Sequence, residues 1–195
     1  MGVIEAHAAQ SGTGRRLDVA QVLLPSGNAQ ATDAKDWLAH LSSLAQRDGL
    51  CATLGIFVTE GGPGRAVVRM AVDARHMNFN GGCHGGAIFS LADTAFGLAS
   101  NSHGALAMGI DAHITFQVGI RAGENLVARA TELMRSHRIG MYRVDVARVE
   151  SGGEETPVSS FTGTVYIRQE RQTESVTNAL ADGAPVGDVY QAAKD

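Results

Sequence analysis

The sequence predicts an α+β domain in which one curved antiparallel sheet wraps a single long helix. Three observations carry that expectation. From Gly86 on, the stretch "GGCHGGAIFSLADTAFG" (81–97) reads as a helix that is apolar on most sides, with Ala87, Ile88, Phe89, Leu91, Ala92, Ala95 and Phe96. A helix apolar nearly all round has to be enclosed by other elements. Six further segments have strand character, two before this helix and four after it. No strand–helix alternation recurs along them, which excludes a doubly wound parallel sheet.

The elements follow in order. Residues 1–35 read as an N-terminal tail whose one apolar cluster is "LDVAQVLLPSG" (17–27). The domain proper spans 36–168. It opens with a helix in "DAKDWLAHLSSLAQRDG" (33–49), where Trp37, Leu38, Leu41, Leu44 and Ala45 form a stripe at helical spacing. Asp33 or Asp36 is the expected N-cap and Gly49 the expected stop. A hairpin follows: "CATLGIFVTE" as one strand, "GGPG" (61–64) as the turn, and "RAVVRMAVD" as the return strand, with Val68, Met70 and Val72 on one face. The loop "ARHMNFNGGCHGG" (74–86) leads into the apolar helix, which should end between Asn101 and Gly104. In "LAMGIDAHITFQV" the residues Met108, Ile110, Ala112, Ile114, Phe116 and Val118 are expected on a buried face, with Asp111, His113, Thr115 and Gln117 opposite. "NLVARATELMRS", "IGMYRVDVARVES" and "VSSFTGTVYIRQ" complete the sheet. Residues 169–195 are polar and read as a C-terminal tail.

Composition sets outer bounds. A chain of 195 residues can bury one sizeable core. Its net charge of −4 argues against a nucleic-acid partner, since phosphate-binding domains carry a basic surplus. No apolar run approaches the roughly 20 residues that span a bilayer. The first residues, "MGVIEAHAAQSGTGRR", lack the basic and apolar regions of a signal peptide. A cytoplasmic protein without a membrane partner is expected. Cys51 and Cys83 are read as free thiols, because nothing points to an oxidising compartment.

One residue does not fit the apolar helix. Asp93 is a carboxylate in its middle, and burying an unpaired carboxylate costs several kcal/mol or raises its pKa. It lies on a stripe of small and polar residues, Gly86, Ser90, Asp93 with Thr94, Gly97, and Ser100 with Asn101, spaced three or four apart. Two readings stand side by side: a core carboxylate satisfied by Ser90 or a nearby amide, or a group that does chemistry at an interface. "HGG" (84–86) precedes the same helix. The N–H groups of Gly85 and Gly86 would sit at its positive end, where an anion or an oxygen that becomes negative can be held. The plainer reading is a tight turn between loop and helix.

The string Asn78, His84, Gly85, Gly86, Phe89, Leu91, Ala92, Asp93, Thr94, Ala95 resembles the hotdog-fold acyl-CoA thioesterases, specifically the phenylacetyl-CoA thioesterase group. The resemblance runs from about Asp36 to Arg168. It implies a sheet around a central helix, subunits paired edge to edge, dimers associating into tetramers, and active sites built from two subunits. It implies thioester hydrolysis with no cofactor, coenzyme A being part of the substrate. Asp93 matches the catalytic carboxylate, and Gly85 matches the residue whose N–H polarises the thioester carbonyl. Asn78 and His84 match positions that orient water, substrate or the loop. Where relatives place a serine in the strand after the helix, this chain has Gly109, with Thr94 or Asp111 as substitutes.

Phe79, Met77, Phe89 and Phe96 are candidates for the acyl pocket, each also readable as plain core. Gly86 is a further candidate contact to substrate. Arg135, His137, Arg138, Arg143 and Arg121 are candidates to face the coenzyme A phosphates, or else solvated strand-edge charges. A Cys83–His84 nucleophile lacks a third orienting group. Asp73, His76 and His84 fit no familiar metal-ligand spacing. A non-catalytic acyl-CoA-binding protein of the same fold is the alternative from another class.

Overall fold

The computed structural model describes residues 31–171. The expected tails therefore lie outside the described residues, apart from a few positions at each boundary. Helix α1 (Ala31–Gln46) begins inside the expected N-terminal tail, and α2 (Gly49–Leu54) follows at once. Strands β1 (Phe57–Gly62) and β2 (Arg65–Ala71) form the hairpin, and α3 (Gly85–Asn101) is the apolar helix. Strands β3 (Ala105–Phe116), β4 (Asn125–Arg135), β5 (Ile139–Val149) and β6 (Glu155–Arg171) complete one antiparallel sheet in the order β1-β2-β4-β5-β6-β3. Among the described residues no helix is long and apolar enough to cross a membrane.

The sheet curls around α3, which touches β2 to β6. Ala87, Ile88, Leu91, Ala92, Ala95, Phe96, Leu98 and Ala99 are buried on the helix, against Ala66, Val68 and Met70 of β2 and Tyr142, Val144 and Val146 of β5. Each of the Ile, Leu, Val, Met and Phe side chains among them contributes about 1.5–3 kcal/mol on burial. Phe96 is the centre of the aromatic packing, 5.5 Å from the Phe161 ring and 5.7 Å from that of Tyr142. Gly163 makes this possible, because a Cβ there would lie 2.8 Å from the Phe96 ring.

Four expectations are corrected. "CATLGIFVTE" is not one strand: its first half belongs to α2. The Asp48 side chain caps that helix, accepting from the N–H groups of Leu50 and Cys51, and Gly55 ends it in the left-handed region at φ 67°. Gly49 therefore starts a helix rather than stopping one, and α1 ends at Gln46. The expected caps at Asp33 and Asp36 are also wrong, since α1 is already under way at Ala31.

The fourth correction concerns β3. A bulge between Gly109 and Asp111 shifts its register against β6. A bulge adds one residue and so reverses which side chains face the core. Ala107 faces the core before the bulge, while Met108 and Ile110 do not. Ile110 is 60% exposed and Phe116 51% exposed, because β3 is the outermost strand and its far edge carries no neighbour among the described residues.

Candidate active site

The loop before α3 is closed by short hydrogen bonds. His84 donates its N–H to the His76 carbonyl at 2.7 Å, and Cys83 donates to the Ile120 carbonyl at 2.7 Å. Asn78 holds the loop tip: its Oδ1 accepts from the N–H groups of Asn80 and Gly82, and its own N–H reaches the Gly82 carbonyl. His84 is the N-cap of α3, and its Nδ1 accepts the Gly86 N–H at 2.8 Å. Both glycines sit in tight surroundings. A Cβ on Gly86 would lie 2.9 Å from that Nδ1, and one on Gly85 would lie 3.1 Å from the Phe116 ring.

The cap leaves one group over. The first N–H groups of a helix have no intrahelical acceptor. Ala87 turns back to the His84 carbonyl and Gly86 to the His84 ring, so among the described residues nothing accepts from the Gly85 N–H. That free donor sits at the positive end of a 17-residue helix. The Gly86 N–H, by contrast, is already used and is not available to a substrate oxygen.

Asp93 is equally unpartnered. Among the described residues nothing donates a hydrogen bond to its carboxylate. Ser90, the expected partner, sends its hydroxyl to the Gly86 carbonyl at 2.8 Å instead. Water reaches Asp93, yet the surrounding protein removes enough of its hydration to raise the carboxyl above its ordinary value, and the Asp48 carboxylate adds to the rise. Two grooves meet at this side chain. One, about 300 Å³, lies between α3 and the first two helices and is lined by Leu44, Asp48, Leu50, Cys51, Thr94 and Leu98 among others. The second, about 430 Å³, runs along β3 past Phe96, Gly109, Ile110 and Asp111.

The remaining candidates scatter. Thr94 faces Cys51, its Oγ1 3.8 Å from the thiol sulfur. Phe79 is 98% exposed. Phe89 packs edge-on to Phe161, and Met77 packs against the core. Arg135 sits 3.8 Å from Glu132 and 3.4 Å from the Tyr142 hydroxyl, while Arg138 is exposed in the β4–β5 turn. Glu132 also bonds His103, just past the C-terminal end of α3. Both arginines therefore lie at the end of the helix opposite Gly85. Arg143 pairs with Asp145. Cys51 and Cys83 are free and buried, and burial pushes both thiols up, which disfavours the Cys83 nucleophile. Both ring nitrogens of His76 are engaged in hydrogen bonds, so it does not join Asp73 and His84 as a metal ligand.

The geometry offers an unpaired donor for a developing oxyanion and an unpaired carboxylate for a base or nucleophile. They are eight residues apart on one helix, about 12 Å at 1.5 Å per residue. No single carbonyl reaches both within one chain. Sequence reasoning missed Asp48, which faces Asp93 from α2. Its signal was present: an Asp just before a short apolar stretch that ends in Gly55.

Comparison with known proteins bears on this arrangement. A family described as "Thioesterase superfamily" matches residues 80–154, which include Gly85 and Asp93. The acyl-coenzyme A thioesterase PaaI of Escherichia coli K12 is 36% identical over 112 residues, 57% of this chain and 79% of that protein. The structure of the E. coli PaaI protein from the phenylacetic acid degradation operon superposes with a TM-score of 0.62 at 31% identity, over 69% of this chain and 98% of that one. A variant of the phenylacetic acid degradation protein PaaI from Thermus thermophilus gives a TM-score of 0.57 at 39% identity, over 61% and 98%.

Proposed function

The chain belongs to the hotdog-fold thioesterase superfamily, within its phenylacetyl-CoA thioesterase group, and from that premise we propose that it hydrolyses an acyl-CoA thioester to a free acid and coenzyme A. The observation that carries the reading is Asp93, a carboxylate on an otherwise apolar helix, left without a hydrogen-bond partner where two grooves meet. A structural carboxylate would be satisfied, whereas this one is held ready.

The thioester carbonyl oxygen binds the Gly85 N–H of one copy, where the helix dipole favours the negative charge that develops on it. Asp93 of a second copy acts on the carbonyl carbon, either as general base on a water or by direct attack to give a mixed anhydride. Water supplies OH to the acyl carbon and a proton to the departing sulfur. Coenzyme A leaves as a thiolate, a good leaving group, so the proposed chemistry uses no metal and no cofactor. The open edge of β3, with Ile110 and Phe116 exposed on it, is the surface through which two copies pair, and a dimer of such dimers is the expected assembly. Phe79 then contacts the second copy or its substrate. Asn78 and His84 act by shaping the loop, and Thr94 lies beside the reacting carboxylate. Arg135 and Arg138 remain candidates for the coenzyme A phosphates of a neighbouring site. An arylacetyl group such as phenylacetyl, or a hydroxylated form, is the proposed acyl group, supported by the name of the E. coli relative's operon, and the cytoplasm is the proposed compartment.

The experiment is release of free coenzyme A thiol from short, medium, long and arylacetyl thioesters, with wild type and Asp93→Asn side by side. Turnover on an arylacetyl thioester that Asp93→Asn abolishes is the expected result. A folded wild type that binds coenzyme A yet turns over none of the panel would establish the binding-protein reading instead.

A further inference from the structure

We propose that His76 is a positioning residue for the carbonyl-binding end of α3, locking the C-terminal end of α2 and the 73–76 turn to the residue that caps α3. The catalytic half of this inference rests on the thioesterase reading above; the structural half rests on hydrogen bonds alone.

His76 is 1% exposed, and each of its polar groups has a partner. Its N–H donates to the Asp73 carbonyl at 3.1 Å, and its carbonyl accepts the His84 N–H at 2.7 Å. Its Nδ1 accepts the Asp73 N–H at 3.0 Å, and its Nε2 lies 2.9 Å from the Leu54 carbonyl. These partners assign the tautomer. A backbone N–H can only donate, so Nδ1 carries the lone pair, and a carbonyl can only accept, so Nε2 carries the proton. Both directions of the ring are fixed, and the Asp73 carboxylate also lies 3.2 Å from Nδ1.

The consequence runs along the backbone. The His76 carbonyl is the anchor for His84, and His84 is the residue whose ring captures Gly86 and leaves the Gly85 N–H free. The ring prevents His76 from rotating, because turning it breaks a bond at α2 and another in its own turn. Arg75 braces the same junction, donating to the Thr53 carbonyl at 3.1 Å while Asp73 holds its guanidinium. The other end of α2 carries Asp48 and Cys51, which border the Asp93 groove. One buried imidazole therefore ties the carbonyl-binding end of α3 to the helix that borders the carboxylate. A displacement of about 1 Å in a catalytic donor costs up to about 10²-fold in rate.

Three variants separate positioning from mere support. His76→Gln keeps a donor for the Leu54 carbonyl, His76→Asn keeps an acceptor for the Asp73 N–H, and His76→Leu keeps neither. On the best thioester found for wild type, kcat should fall about 10–100-fold in His76→Leu with KM nearly unchanged, and His76→Gln should recover most of the loss. Val144→Ala, a core variant on β5, serves as a reference for lost stability without lost positioning. A His76 variant whose kcat is no lower than that of Val144→Ala at equal melting temperature overturns the inference. Amide hydrogen exchange reads the same brace without turnover, and so distinguishes failure here from failure of the thioesterase reading. In His76→Leu, or in His76→Gln if the former does not fold, the His84 amide should exchange faster while the Leu91 amide does not. Unchanged exchange at His84 overturns the proposal even if the enzyme is active, and faster exchange upholds its structural half even if wild type hydrolyses nothing.

Discussion

The two ends of the Gly85–Asp93 stretch of α3 are built in opposite ways. At the first turn, hydrogen bonds satisfy His84, Gly86, Ala87 and the loop behind them, and one N–H is left over. Two turns later, Asp93 has no donor among the described residues, although Ser90 is one turn away and spends its hydroxyl on a backbone carbonyl. The difference teaches how such a site divides its labour. In the proposed mechanism the donor end has to be rigid, because an oxyanion is stabilised only by dipoles already in place. The carboxylate end has to stay unsatisfied there, because a base or nucleophile must keep its lone pairs and tolerate a raised pKa.

The largest way to test that contrast is to neutralise the unsatisfied end. Asp93→Asn should lower turnover by about 10²–10⁴-fold. It should not lower the melting temperature at pH 7. The folded pKa of Asp93 lies above its unfolded value, so the folded state holds the proton more tightly. Stability is therefore lost as pH rises through that interval, and the full cost stands at neutral pH. Removing the charge removes the cost. A variant that melts well below wild type at pH 7 would show that the carboxylate is structural after all.

The rigid end should behave in reverse, with stability and turnover falling together. Gly86→Ala puts a methyl group 2.9 Å from the His84 Nδ1, so the ring has to shift and the cap is disturbed. Loss of an N-cap costs about 1 kcal/mol, readable as a lower urea midpoint. Turnover should fall about tenfold, since the Gly85 N–H is re-aimed rather than removed. Full stability with full activity would mean that the His84 ring does not cap α3 in solution.

How much of this was legible from the sequence follows the same division. The apolar helix, the Val68–Met70–Val72 face and the lone carboxylate could be read directly, because burial imposes periodicity. The β3 face was misread because a bulge at Gly109–Asp111 adds one residue, and periodicity alone does not show where it falls. The short helix α2 was taken for a strand because six residues carry too little pattern, although Asp48 and Gly55 marked both of its ends. His76 was weighed only as a metal ligand. Its partners are a carbonyl and an N–H of the backbone, and such partners leave no side-chain signature. The separation of Gly85 from Asp93 could be counted along the helix, whereas the unpartnered state of each is visible only in the structure.

The smallest predicted effect tests whether the unsatisfied end is tuned by its neighbours. Burial is the main cause of the raised Asp93 pKa and the Asp48 carboxylate is the second. Asp48→Asn keeps a side-chain oxygen to accept from Leu50 and Cys51, so α2 should hold. What disappears is one negative charge facing Asp93, and a like charge disfavours ionisation. If Asp93 must be ionised to act, activity falls as pH falls through its pKa, and the acid limb of kcat/KM reports that value in the free enzyme. In Asp48→Asn the limb should move to lower pH, while staying above that of an ordinary carboxylate because burial persists. Asp111 borders Asp93 from the β3 side, and Asp111→Asn should move the limb less. A limb unmoved by Asp48→Asn would place the titrating base elsewhere, and a limb moved equally by both variants would show that the two grooves act on Asp93 alike.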